Sequence, residues 1–256
     1  METPTGARAA TEPTPEPAPT APAEARQRWR ITFCRDVGPG GQGLVGRDYL
    51  LAWEAALIGS ALPIAETAAG RRRFSLAAPL PASSAAEAEL AELWLTSRLP
   101  AWRIREALAP SLPTDHTITD LEDVWLGAPA LAGRIAAADY RVTLAGDLDE
   151  RLVAAAVQRL LDARSLPRER AKGGTVKPYD LRPLVVSIRV DGEGRDDGLD
   201  GRSGNVVVRL RTRIHPELGS GRPEEVLAAL ADELGAPLEA IETVRVRLVL
   251  ADDVAR

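Results

Sequence analysis

Residues 206–250 decide the fold that we predict, because three segments with different hydrophobic periods follow one another there. The first, VVVRLRTRI at 206–214, alternates apolar and polar side chains as a half-buried strand does. The second, PEEVLAALADEL at 223–234, repeats apolar residues at helical spacing, with proline at its start and glycine after its end. The third, TVRVRLVL at 243–250, alternates again. The predicted order is therefore strand, helix, strand.

The residues upstream extend this order to a complete supersecondary unit. Tyr140, Val142 and Leu144 alternate as a strand, and residues 185–190 form another apolar run. Between them, Asp147 and Glu150 form a capping-box pattern that predicts a helix running to about residue 164. The whole segment reads β-α-β-β-α-β, which is the order of a ferredoxin-like unit.

The first half of the chain repeats the same order. Its predicted elements are strands near 29–33, 74–78, 90–96 and 117–126, helices near 47–59 and 102–108, and a glycine-rich turn at 38–43. We therefore predict an α+β fold of two tandem ferredoxin-like β-α-β-β-α-β units, at 27–127 and 138–256, joined by a connector at 128–137.

Residues 1–26 differ in composition from the rest of the chain. They contain six prolines and no Leu, Ile, Val or aromatic residue. Such a segment cannot bury enough apolar surface to offset the entropy lost on ordering. We predict a disordered tail.

Composition narrows the class of protein. The chain has 256 residues and a formal net charge of −5, so any nucleic-acid binding must depend on a local patch. No apolar stretch is long enough to cross a bilayer, and the N-terminus lacks the charged start and apolar core of a secretory signal. Cys34 is the only cysteine, so no intramolecular disulfide can form. We predict a cytoplasmic protein without membrane contact.

The only predicted binding or interface site consists of arginines. Side chains alternate across a strand, so when the apolar residues of the second unit face its helices, the arginines between them face the other way. Seven arginines would then share one sheet face: Arg141, Arg189, Arg209, Arg211, Arg213, Arg245 and Arg247.

Two interpretations of this face stay open. It could bind a polyanion such as RNA through phosphate contacts, although Tyr140 is the only aromatic residue that these strands offer and it is predicted to face inward. Alternatively, it is an ordinary solvated face, or an interface at which the arginines pair with acidic residues of the first unit. Those residues are Glu89, Glu92, Asp120, Glu122 and Asp123.

Catalytic and cofactor motifs are missing from the sequence. One cysteine cannot supply the several thiolates that hold an iron–sulfur cluster, and Cys34, His116 and His215 lack the spacing of a metal site. Both histidines are predicted to be surface or strand-end residues. The glycine run at 38–43 lacks a following Gly-Lys-Ser/Thr, which favours a flexible loop, and the acidic loop at 191–200 lacks the ligand order of a calcium loop. We predict no cofactor, no metal and no catalytic residue.

Six segments, in a fixed order, carry a resemblance to a known family. They are RWRITF at 28–33, AAPLP at 77–81, AELAELWL at 88–95, APAL at 128–131, ADYRVTL at 138–144 and KPYDLRPL at 177–184. Over roughly residues 28–250 the chain resembles the radical SAM-linked, or radical SAM-associated, protein family, a bacterial domain family of undefined activity.

The resemblance implies association with a radical SAM protein, encoded alongside this one or fused to it. Members usually carry an H-L-D-L-like start to the first helix and a Y-S-x-G-F-N-P-type segment, where this chain has RDYL at 47–50 and AETAAG at 65–70. No catalytic residue is therefore transferred.

These observations lead to two functional expectations. The first is a non-catalytic accessory or substrate-recognition protein that acts with a radical SAM enzyme. The alternative is an RNA-binding module that uses the arginine-rich sheet face. An independent hydrolase or nuclease is a weaker third hypothesis, since it would need a nucleophile or a metal cluster.

Overall fold

The computed structural model describes residues 23–38, 40–146, 148–172, 174–191 and 205–254. Most of the predicted disordered tail, residues 1–22, lies outside the described residues. So does the acidic loop at 191–200 apart from Asp191.

The structure is mixed α+β, as the sequence predicts. The described strands are β1 (Gln27–Arg35), β2 (Phe74–Leu76), β3 (Ser84–Leu95), β4 (His116–Val124), β5 (Ile135–Leu144), β6 (Pro167–Lys172), β7 (Thr175–Asp180), β8 (Val185–Asp191), β9 (Val206–His215), β10 (Gly219–Ser220) and β11 (Ala240–Leu250). The described helices are α1 (Gly46–Gly59), α2 (Ala101–Leu108), α3 (Glu150–Asp162), α4 (Pro223–Leu234) and the short α5 (Ala251–Val254).

Nine strands form one large mixed sheet. In its first half, antiparallel pairing gives the order β4-β1-β3-β2, and in its second half the order β11-β5-β9-β8. The halves meet at a short seam, where residues 243–245 of β11 pair in parallel with residues 84–86 of β3. The last strand of the chain thus lies in the middle of the sheet, between β5 and β3.

Helices cover one face of the sheet and build two hydrophobic cores. Trp53 of α1 and Ile104 of α2 are fully buried in the core of the first half. Leu160 of α3 and Leu230 of α4 are fully buried in the core of the second half. Apolar residues at helical spacing line the buried sides of these helices, which is why they pack on the sheet.

Several elements differ from the sequence prediction. The hairpin β6–β7 was not predicted, because its polar residues show no apolar alternation. β5 begins at Ile135, so the predicted connector at 128–137 ends within this strand. Asp149 caps α3, since its carboxylate accepts a hydrogen bond from the Arg151 amide at 2.8 Å. The capping box predicted from Asp147 includes a residue outside those described.

Within the described part of the chain, no helix is long and apolar enough to span a membrane.

Candidate functional site

Three arginines come into direct register on the face of the sheet opposite the helices. Arg209 of β9 lies across from Arg141 of β5 on one side and from Arg189 of β8 on the other. Their chain neighbours, such as Tyr140 and Leu210, are buried in the core, so the arginines point away from it. Like charges placed directly across strands repel each other, so this row favours the approach of an anion.

A second row surrounds one carboxylate. Asp139 of β5 lies across from Arg211 on β9 and from Arg247 on β11. Asp139 Oδ1 and Oδ2 accept from Arg211 Nε and Nη2 at 2.6 and 2.8 Å, and Oδ2 also accepts from Arg247 Nε at 2.9 Å. Burial would raise the pKa of Asp139, but the hydrogen bonds and charges of the two arginines outweigh burial and lower it.

Six of the seven predicted arginines share this surface, which we call the arginine face. It consists of Arg141, Arg189, Arg209, Arg211, Arg213 and Arg247. A groove of about 550 Å³ runs over it, lined by four of them: Arg189, Arg209, Arg211 and Arg247.

Carboxylates neutralise part of the arginine face. Besides Asp139, Glu87 pairs with Arg141 at 2.8 Å and Asp191 pairs with Arg209. Arg189 and Arg213 are exposed and make no ion pair with any residue that the structure describes. Among the described residues, six guanidinium groups thus face three paired carboxylates and the exposed Glu242, which lies across from Thr143, so the surface keeps a net positive charge.

The seventh arginine was wrongly predicted to belong to this face. Arg245 lies across from Tyr140, whereas Arg247 lies across from Asp139, so β11 carries one extra residue between them. This bulge breaks the strict alternation that the prediction assumed. Arg245 therefore points to the helix side of the sheet, where its side chain is only 1% exposed.

Arg245 instead forms a buried ion pair across the seam. It bonds to both carboxylate oxygens of Glu89 on β3, with Nε to Oε1 at 2.6 Å, and Nη1 donates to the Pro79 carbonyl at 2.7 Å. Burial would lower the pKa of Arg245, but the charge and hydrogen bonds of Glu89 outweigh burial and raise it. The pairing considered between second-unit arginines and Glu89 thus applies to Arg245.

The other acidic residues considered for that interface have partners elsewhere or none among the described residues. Glu92 pairs with Arg28 and Arg30, and Glu122 also pairs with Arg30. Asp123 accepts a hydrogen bond from Gln27, which like these arginines belongs to β1.

A cleft of about 490 Å³ opens between the two halves on the helix side. Its walls come from the glycine-rich loop, from residues 78–83 and from residues 220–224, which lead into α4. Tyr140 and Arg245 also line it, together with Arg170 and Arg222. This cleft was not predicted, because it depends on how the halves are joined.

Arg35 fixes two walls of the cleft. Its side chain is buried, and Nη1 donates to the Leu44 carbonyl at 3.1 Å, while Nη2 donates to the carbonyls of Pro81 and Ser84. Burial lowers the pKa of Arg35. The guanidinium thereby ties the glycine-rich loop to the segment before β3.

His116 lies in a buried hydrogen-bond chain beside Arg35. Its Nε2 is 2.9 Å from the Tyr49 hydroxyl, and its Nδ1 is 2.7 Å from Asp115 Oδ1. Burial lowers the pKa of His116 in spite of Asp115, and burial raises the pKa of Tyr49 to about 12. His116 is the first residue of β4, so it is a strand-end residue as predicted, but it is not at the surface.

The remaining predicted site residues stay apart. His215 ends β9, and its Nδ1 accepts from the amides of Glu217 and Leu218 at 3.2 Å. Cys34 is half-buried in β1. No group of three or more His, Cys, Asp or Glu side chains within the described ranges could hold a metal ion.

Comparison with known proteins gives one match to a family. Residues 47–214 match the family described as "Uncharacterized protein conserved in bacteria (DUF2344)". No curated protein matches the chain.

Among solved structures, the chain is similar to one in "Crystal Structure of a Cbf5-Nop10-Gar1 Complex", with 11% identity and a TM-score of 0.44. The match covers 85% of this chain and 48% of that one, so the chain spans about half the length of that protein.

Proposed function

Because this chain belongs to a family of uncharacterized proteins conserved in bacteria, we propose its function from its own surfaces: it is a non-catalytic substrate-recognition protein whose arginine face binds RNA. The observation that carries this proposal is the arginine face itself, with its 550 Å³ groove. A local positive surface can attract a polyanion although the whole chain carries a net charge of −5, because salt screens charges farther away than about 8 Å.

The chemistry of the arginine face suits phosphate contacts more than base recognition. A guanidinium presents a planar fork that can bind a phosphate through two hydrogen bonds. Tyr140, the aromatic residue of these strands, is 5% exposed and faces the core, so it cannot stack on a base from this side. Contacts to the backbone position RNA without reading its sequence. The proposal therefore predicts binding of structured RNA with little sequence preference.

The proposed architecture is two tandem ferredoxin-like units, at 27–127 and 138–256. The strand orders are β4-β1-β3-β2 and β11-β5-β9-β8, and all neighbours are antiparallel. When the four main strands of each half are numbered in chain order, leaving out the hairpin β6–β7 and the short β10, both orders are 4-1-3-2, which supports this proposal. The arginine face then belongs to the open side of the second unit.

Binding of a labelled structured RNA, followed by fluorescence anisotropy over a range of salt concentrations, tests the RNA proposal. Arg209→Glu should raise Kd about tenfold, and the slope of log Kd against log salt should fall by about one for each phosphate that the variant no longer binds. Arg164→Glu is the matched control, because Arg164 is an exposed arginine of the second half away from the arginine face. RNA binding that depends on neither salt nor Arg209 would refute the proposal.

A second proposed function is that of an accessory protein for a radical SAM enzyme. The six segments that resemble the radical SAM-linked family favour it, and they fall in both halves of the chain. With Cys34 as its one cysteine, this chain cannot hold the iron–sulfur cluster itself, so the partner would supply the radical chemistry. We place this role in the cytoplasm, where the partner's substrate would be presented on the arginine face.

Anaerobic affinity purification of the tagged protein from its own cells tests the partnership. The same eluate is analysed for bound protein and for bound RNA. A radical SAM protein in the eluate is the expected result. RNA without such a protein would support RNA binding by the arginine face and would contradict the partnership with a radical SAM enzyme.

A further inference from the structure

The cleft between the two halves has no part in RNA binding by the arginine face, which lies on the other side of the sheet. We infer that this cleft is a binding site for a small phosphorylated molecule, of the size of a nucleoside monophosphate. Its volume of about 490 Å³ falls within the range of small-molecule sites. Apolar side chains in its walls, including Val45, Leu80, Pro81 and Ile214, would pack against a ring.

Groups that can donate a hydrogen bond to an anion lie on one side of the cleft. Helix α4 has 12 residues and begins at Pro223 on the cleft wall, and no side chain caps its first turn. The uncapped amides can donate to an anion there, whereas Glu224 and Glu225 in the first turn partly balance the helix dipole. Arg222, the residue before the helix, lines the same wall and makes no ion pair with the residues that the structure describes.

Two other charged residues set the balance of this wall. Arg170 also lines the cleft, but it donates to the Glu225 carboxylate at 2.6 and 3.0 Å, and this carboxylate offsets the charge of Arg170. Glu224 is the carboxylate in the lining, and both Glu224 and Arg222 are exposed, so solvent screens the repulsion by one and the attraction by the other. Arg222 and the helix start are therefore the main sources of affinity.

An unpartnered buried hydroxyl independently indicates a ligand. Ser84 lines a smaller pocket of about 160 Å³ that adjoins the cleft and shares Ser83 and Pro223 with it. Ser84 is 1% exposed, and its Oγ has no hydrogen-bond partner in the described part of the chain. Leaving a buried hydroxyl unpaired is unfavourable, so a ligand group that bonds to it stabilises the bound state.

The glycine-rich loop completes the site opposite α4. Gly40, Gly41 and Gln42 line the adjoining pocket beside Ser84, and Gln42 also lines the cleft. The Gly43 amide donates to the Ala82 carbonyl at 2.8 Å, and Arg35 holds both segments, so the walls are set before a ligand arrives. Such preorganisation lowers the entropic cost of binding.

Titration calorimetry of the full chain tests this inference. The probes are the four common nucleoside 5′-monophosphates, the matching nucleosides and inorganic phosphate. We expect at least one monophosphate to bind with Kd below about 1 mM and its nucleoside to bind about tenfold more weakly. A short RNA with a 5′-phosphate, compared with its 5′-hydroxyl form on the Arg209→Glu background, distinguishes a free nucleotide from an RNA end.

Variants assign the binding to the cleft. Arg222→Gln should weaken it about tenfold, because one charge-assisted hydrogen bond is removed. Ala82→Trp should abolish it by filling the cleft, since Ala82 is a partly exposed residue of the wall. Arg164→Gln and Arg209→Glu should leave it unchanged.

Thermal melting checks that each variant folds. Saturable binding that both cleft variants weaken supports the inference, whichever phosphorylated probe binds. Failure of every probe to bind the unmodified protein, or binding that survives both cleft variants, would overturn it. The inference does not depend on RNA binding by the arginine face, because Arg209→Glu and Arg222→Gln act on opposite sides of the sheet.

Discussion

Replacing Arg245 by methionine tests the buried ion pair at the seam. The side chains of Arg245 and Glu89 are 1% and 4% exposed, so the change leaves a carboxylate buried without its charged partner. Removing one member of such a pair typically costs about 3–5 kcal/mol. For a protein of this length, Tm falls by about 2–4 °C per kcal/mol. We therefore expect Tm to fall by roughly 6–20 °C.

The assay is urea and thermal denaturation of three variants beside the unmodified chain. The double variant Arg245→Met/Glu89→Leu should recover most of the stability, because two apolar side chains of similar volume replace both charges. Arg159→Met is the control for an exposed pair, since Arg159 bonded to Glu233 is 54% exposed, and it should cost less than about 1 kcal/mol. A single Arg245→Met variant as stable as that control would refute the reasoning, as would a double variant less stable than the single Arg245→Met variant.

Three further predictions concern the helix side of the sheet. Gly43→Ala should destabilise by about 1–3 kcal/mol in chemical denaturation, because the added Cβ would lie 2.8 Å from Nη1 of the immobilised Arg35, whereas Gly133→Ala, with open space, should be nearly neutral. The free energy of unfolding should fall as pH drops below about 6.5, because burial lowers the pKa of His116 in the folded protein and the unfolded chain therefore binds a proton at higher pH. His116→Gln should flatten the slope of the free energy of unfolding against pH, and an unchanged slope would contradict the burial argument. Asp149→Ala should cost about 1 kcal/mol, measured by thermal melting, by removing the cap of α3, and an unchanged Tm would show that solvent satisfies the helix amides equally well.

Hydrophobic periodicity predicted most elements of the fold. The pattern at 223–234 matches α4 residue for residue, because proline and glycine mark its ends and Val226 and Leu230 mark its buried side. β3 was predicted too late, at residue 90, because its first residues SAAEAE contain no β-branched or aromatic side chain. Short polar pairings such as β6–β7 carry no periodic signal at all.

The candidate site was predictable only where strands are regular. Alternation placed Arg141 and Arg209 correctly, because their strands pair without a break there. It failed at Arg245, since a bulge arises from pairing with a neighbouring strand and is not encoded in the alternation of β11 itself. The cleft could not be predicted for a similar reason: Ser83 and Arg222 line it together only because the seam joins the two halves.

The position of β11 has a consequence for synthesis on the ribosome. Glu89 of β3 and Arg245 of β11 are 156 residues apart in the chain. At bacterial elongation rates of about 5–20 residues per second, β11 is synthesised roughly ten to thirty seconds after residues 84–86, with which it pairs. During that time β3 presents an open edge in the nascent chain, which other chains could pair with. Truncation near residue 240 should therefore yield a product that aggregates, because it lacks the strand that covers this edge.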